Sequence, residues 1–138
     1  MPVNPAPSST STRPLAPPPP VSTPGFTNLI PVIRPSEFAA TVKKGRVVIE
    51  FFSPACGFCR AAEPEVKKVA NAFGTKVAIR KVNLLDPEGM RLGRKYGVSN
   101  FPTFAVFENG KHVGTFARQG SNPVTASFVA RNIASIYE

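Results

Sequence analysis

The chain has 138 residues, a net charge of +9, 16 prolines, two cysteines and no tryptophan. That length suits one domain with a proper core, and no run approaches the ~18 apolar residues of a membrane-spanning helix. Two cysteines are too few for a disulfide scaffold, so any chemistry they carry belongs to the pair itself.

Residues 1–25 are a different material from the rest. They hold nine of the 16 prolines, four of them consecutive from Pro17 to Pro20, and a single charge, Arg13. Such a segment cannot bury enough surface to offset chain entropy and is expected to be disordered, with polyproline II character. Its simplest role is a solvated tether. A proline-reading domain is the tail-binding partner it would suit, although the basic flank that sharpens such sites is missing. Proline every few positions also interrupts the apolar stretch that a secretory signal needs. The expected location is therefore the cytoplasm.

From about residue 26 onward lies the domain, with 16 Lys+Arg against 8 Asp+Glu. The cations are scattered, which fits affinity for acidic partners. No aromatic stacking platform or nucleic-acid motif accompanies them, so nucleic acid is not the expected partner.

Residues 28–33 read as a short edge strand ending before Arg34-Pro35-Ser36. Pro35 suits the start of a helix carrying Phe38, Ala39 and Val42, closed by Lys43-Lys44-Gly45. Val47 to Phe52 is a β-branched and aromatic run suited to a strand buried on both faces, with one acid, Glu50, inside it. Ser53-Pro54 breaks the strand before Cys56-Gly57-Phe58-Cys59. Beyond the cysteines, Ala62, Val66, Val69, Ala70 and Phe73 recur at helical spacing. Pro64, inside that helix, is expected to kink it. A strand follows over 76–83, then a helix begun by Asp86-Pro87-Glu88 and running to Gly97. Strands 103–107 and 112–117 are joined by Asn109-Gly110, a strong type I′ hairpin signal. Asn122-Pro123 is expected to open a last helix with Val124, Phe128, Val129, Ile133 and Ile136 on its apolar face. The order βαβαβαββα predicts an α/β fold with a central mixed sheet covered by helices on both faces.

The cysteines stand where a buried strand hands over to a helix. Unpaired N–H groups and the macrodipole at a helix N-terminus favour negative charge, and the pKa of a first cysteine in such motifs falls to roughly 3.5–7.5. Cys56 is thus the expected nucleophile, and Cys59, one turn in, the resolving thiol. A zinc site would need further ligands. The chain offers no other cysteine and one histidine, His112, so zinc would require a second subunit. Glu50, six residues before Cys56, must be desolvated in its apolar run. Desolvation raises its pKa and suits it to move protons near neutrality.

Glu-Phe-Phe-Ser-Pro-Ala-Cys-Gly-Phe-Cys-Arg resembles the active-site segment of the thioredoxin superfamily, as found in thioredoxins and in the catalytic domains of protein disulfide isomerases. Lys-Tyr-Gly-Val-Ser-Asn-Phe-Pro-Thr-Phe (95–104) and Glu-Asn-Gly-Lys (108–111) extend the likeness to roughly residues 28–138. The resemblance implies a thioredoxin-like fold and thiol–disulfide exchange on protein disulfides; the interrupted signal stretch and the lack of further cysteines point to a reductase, with a disulfide oxidase or isomerase as the alternative direction. The only redox group would be the Cys56–Cys59 disulfide, with no other cofactor and no metal. The implied partners are disulfide-containing proteins and a recycling reductase. It further implies that Glu50 accepts the Cys59 proton, that Lys81 pairs with Glu50, and that Phe101–Pro102 is a cis peptide. The backbone of Phe101 would then offer its N–H and C=O to an extended substrate, and Gly120 would let that substrate approach. Gly57 and Phe58 complete the redox turn. Ala55, where both branches usually carry tryptophan, and Phe58, where they carry proline or histidine, depart from the pattern. The rival reading is a scaffold that binds a partner without turnover.

Overall fold

In the computed structural model, residues 30–138 are described; the proline-rich tail expected over 1–25 and the first residues of the expected edge strand lie outside them. A 3₁₀ turn, Pro35–Glu37, runs into α1 (Phe38–Val42). Then come β1 (Arg46–Phe52), α2 (Gly57–Phe73), β2 (Ala78–Asn83), α3 (Pro87–Lys95), β3 (Thr103–Glu108), β4 (Lys111–Ala117) and α4 (Ala126–Tyr137). The strands form one mixed sheet in the order β2-β1-β3-β4. β1 runs parallel to β2 and antiparallel to β3, and β3 is antiparallel to β4.

β1 and β3 hold the two interior places, as their apolar runs suit. Val48, Ile49 and Phe51 are fully buried, as are their neighbours Phe104, Ala105 and Val106 on β3. The two sides of the sheet bury separate cores. Val48, Ile79, Phe104 and Val106 pack with Ala62, Val66 and Val69 of α2 and Val129 and Ile133 of α4. Ile49, Phe51, Val82 and Phe107 pack with Phe38 and Val42 of α1, with Met90 and Leu92 of α3 beside them. Helices therefore cover both faces, as the element order predicts.

Three local expectations need correction. The described part of the 28–33 strand makes only an isolated bridge, Val32 to Lys81, with Lys81 N–H donating to Pro31 O and Ile33 N–H to Lys81 O. Pro31 has no N–H for a ladder, so pairing stops there. The last helix begins at Ala126, three residues after Pro123. Thr125 caps it by accepting from Phe128 N–H at 3.1 Å, while Asn122 N–H closes a turn onto Gln119 O. The hydroxyl of Thr125, which the Asn122-Pro123 reading passed over, is the cap the helix uses. The first helix is shorter than expected because its opening turn is 3₁₀. Helix α2 is continuous across Pro64. The Asn109-Gly110 turn has positive φ at both residues, 50° and 86°, as a type I′ hairpin requires.

Helix α3 presses its buried glycines onto neighbouring chain. A Cβ on Gly89 would lie 2.2 Å from the carbonyl oxygen of Asn83. Helix propensity favours alanine over glycine by about 1 kcal/mol, yet the clash is with backbone that cannot swing aside. Gly89→Ala is therefore expected to destabilise the domain by about 2–3 kcal/mol in urea denaturation. A neutral or stabilising result would show that α3 is free to shift away from β2.

Candidate active site

β1 ends at Phe52 and the chain turns through Ser53 to Ala55 into α2. Ser53 organises the turn: its carbonyl accepts from Cys56 N–H at 3.0 Å and its hydroxyl from Ala55 N–H at 3.2 Å. Cys56 is the N-cap of α2, extended at φ −91° and ψ 118°, and its sulfur accepts from Cys59 N–H at 3.2 Å. The sulfur thus lies on the unpaired amides at the N-terminal end of a 17-residue helix. Cys56 is half-buried and Cys59 buried, and both thiols are free. Burial pushes the Cys59 thiol up to about 12, with Cys56 and Glu50 adding to the rise. The two sulfurs have distinct characters. Cys56 is reachable from solvent, whereas Cys59 is buried and needs help to lose its proton.

Glu50 supplies a group suited to give that help. It is completely buried on the side of the sheet covered by α2, and neither carboxylate oxygen has a hydrogen-bond partner among the described residues. Burial pushes its carboxyl up to about 8, with Lys81 opposing and Glu63 adding to the rise. An acid near neutrality can take a proton and return it.

Lys81 stands opposite Glu50 in the β1–β2 register. It does not bond to Glu50, which corrects the pairing that the resemblance implies. Its ammonium is 2.5 Å from Glu63 Oε1 of α2 and 4.2 Å from the centre of the Phe52 ring. Cys59, Glu63, Lys81, Phe52, Ser53, Pro54 and Arg60 line an open cleft of about 320 Å³ beside the cysteines.

The Phe101–Pro102 peptide is cis. Phe101 is half-buried, Pro102 buried and Gly120 exposed. Arg118 draws these residues together. Its guanidinium lies 3.7 Å from the centre of the Phe58 ring, and its Nε donates to Phe101 O at 2.6 Å. Further N–H groups reach Gly120 O and, at 3.1 Å, Asn100 Oδ1. Phe58, which offers neither the charge of histidine nor the stiffness of proline, thus serves as a platform for a cation. The Phe101 carbonyl thus already accepts one donor. Gly57 is exposed on the first turn of α2. His112 lies on β4, packed against Tyr96 and Phe107 and bonded to Thr115. No cluster of three metal-ligating side chains occurs among the described residues, and none of their helices is long and apolar enough to cross a membrane.

The family model for thioredoxin matches residues 30–131. The chain belongs to the thioredoxin family. Its sequence is 34% identical over 104 residues to "Probable protein disulfide-isomerase A6" of Medicago sativa, covering 68% of this chain and 29% of that protein. It is 26% identical over 117 residues to "Protein disulfide isomerase-like 1-1" of Arabidopsis thaliana, covering 72% of this chain and 23% of that protein. The chain thus spans less than a third of the length of these curated relatives. A thioredoxin of Plasmodium falciparum superposes with a TM-score of 0.64 at 25% identity, over 77% of this chain and 98% of that one. Mitochondrial thioredoxin 3 of Saccharomyces cerevisiae shares the fold, with a TM-score of 0.62 at 24% identity over 77% and 94%.

Two residues of the site escaped the sequence. Arg118 is 60 positions from Phe58, and nothing local marks it as a stacking cation. Glu63 had a faint signal: it follows Cys59 by four residues, so it shares that face of the helix.

Proposed function

We propose that this domain carries out thiol–disulfide exchange on protein disulfides, in the direction of reduction. The observation that supports this most is the pairing of a helix-capping thiol, Cys56, with a buried acid, Glu50, next to a resolving thiol that cannot ionise unaided. The Cys56 thiolate attacks one sulfur of a substrate disulfide, forming a mixed disulfide and releasing the other substrate sulfur as a thiolate. Glu50, ionised, takes the proton of Cys59. The Cys59 thiolate attacks Cys56 Sγ and breaks the mixed disulfide, and the second substrate sulfur departs and is protonated. Two electrons have passed to the substrate, and the domain holds a Cys56–Cys59 disulfide. A dithiol donor, supplied by a recycling reductase, returns it to the dithiol. Glu50 serves the resolving step whichever way the electrons run; the reductive direction is inferred from a chain that spends both of its cysteines in one motif and holds none for a structural disulfide. The phenylalanine of Phe101 and the exposed backbone at Gly120 border the path of an extended substrate chain.

The test is dithiol-coupled reduction of insulin, beside equilibration of the Cys56–Cys59 couple with glutathione. Turnover with a couple more reducing than glutathione is the expected result. Turnover with an oxidising couple would move the direction towards disulfide formation or isomerisation, the activity in the names of the relatives. No turnover from folded protein would overturn exchange and leave a binding scaffold.

A further inference from the structure

We propose that Glu63 is a positioning residue: by holding Lys81 it keeps that cation off Glu50, and so sets the pH range in which Glu50 exchanges protons. The role in catalysis rests on the exchange reading above; the electrostatic arrangement stands apart from it.

Glu50 and Lys81 are register partners on adjacent parallel strands, so their side chains leave the same face of the sheet. Left to themselves, a buried carboxylate and a buried ammonium so placed would bond, since each is costly to hide alone. Here the ammonium turns outward instead, to Glu63 at 2.5 Å, and both oxygens of Glu50 are left without a partner among the described residues. The ion pair lies partly at the surface, with side chains 11% and 26% exposed, where some solvation survives. Glu50 has no such relief.

Among the described residues, no other charge on the packed elements competes. Along β1, Arg46 is at the far end and pairs with Glu108 at 3.1 Å. On β3, the residues opposite and beside Glu50 are Phe104 and Thr103. From α4, Val129 and Ile133 are buried against that side of the sheet. From α2 come Glu63, the Cys59 thiol, and Arg60, whose guanidinium is bonded to Pro54 O at 2.9 Å. Glu63 therefore acts on Glu50 twice, through its own negative charge and through its grip on Lys81. Both effects favour the protonated form.

The test is a carbon-13 NMR titration of the Glu50 carboxyl in the reduced protein, which needs no turnover. Glu63→Gln frees Lys81 and removes a negative charge, and is expected to lower the Glu50 midpoint by about one unit. Glu63→Ala should act in the same direction, guarding against a repacked glutamine. Lys81→Met should raise the midpoint, and in that background the Glu63→Gln shift should fall to less than half. An unchanged midpoint, or an equal shift without Lys81, would overturn the proposal. If the titration behaves as expected while insulin reduction is absent, the exchange reading fails and the electrostatic one survives. If turnover is present and the titration does not move, Glu63 is merely a surface partner for Lys81.

Discussion

Cys56→Ser is expected to abolish turnover to the level of the uncatalysed dithiol reaction, with the fold intact. Serine preserves the cap geometry, because its oxygen also accepts from the N–H of residue 59. It cannot form a disulfide. The chain holds no other cysteine but Cys59, and that thiol is buried, with its ionisation pushed up to about 12. No second nucleophile stands ready to take over. Urea denaturation should place the variant within about 1 kcal/mol of the parent, so that lost activity is not mistaken for lost structure. Retained turnover in Cys56→Ser would mean that Cys59 reaches substrate directly, and the assignment of the two thiols would have to be reversed.

Glu50→Leu should separate stability from catalysis by moving them in opposite directions. A carboxyl whose affinity for protons is higher in the folded than in the unfolded chain contributes its full stability below its unfolded pKa and loses it as pH rises through the folded one. For Glu50 the window runs from 4.5 to about 8. Each unit is about 1.4 kcal/mol, so ionising Glu50 in place costs on the order of 4–5 kcal/mol across that window. Leucine has no such slope and leaves no unpartnered oxygen. Urea denaturation of the reduced proteins at pH 5 and pH 8.5 should show the parent losing stability at the higher pH. The variant should lose far less and be the more stable of the two there. Resolution of a preformed mixed disulfide should meanwhile slow by about 10²-fold at neutral pH, the usual contribution of a positioned base. Equal pH slopes in parent and variant would show that Glu50 is hydrated in solution and not the isolated acid described above.

The redox turn was readable because its signals are local. Val47 to Phe52 is apolar enough to demand burial on both faces, and the change to helical spacing after Cys59 fixes where strand becomes helix. Glu50 was readable for the same reason, as a lone charge in a strand with no solvent face. The Asn109-Gly110 hairpin followed from residues that tolerate positive φ. What failed to show were relationships set by packing. The partner of Lys81 depends on how α2 is rotated over β2, and a lysine on a strand gives no hint that a helix glutamate will reach it. The stacking of Arg118 on Phe58 closes a gap of 60 residues between the first turn of α2 and the segment just after β4. The start of α4 was missed because Asn122-Pro123 forms a turn of its own, while Val124 packs into the core ahead of the helix and Thr125 caps it. At the other end, proline spacing weakened pairing at residues 31–33, leaving a bridge where apolar composition suggested a strand.

The central claim is that Cys56 attacks and Cys59 resolves, and it is tested most directly by trapping. Cys59→Ser, reduced and mixed with a disulfide-bonded protein, should accumulate a one-to-one covalent adduct by intact-mass spectrometry. Peptide mapping should place the bond at Cys56, and a dithiol reductant should release it. Absence of any adduct from the folded variant, under conditions in which the parent protein is oxidised by the same substrate, would contradict the account.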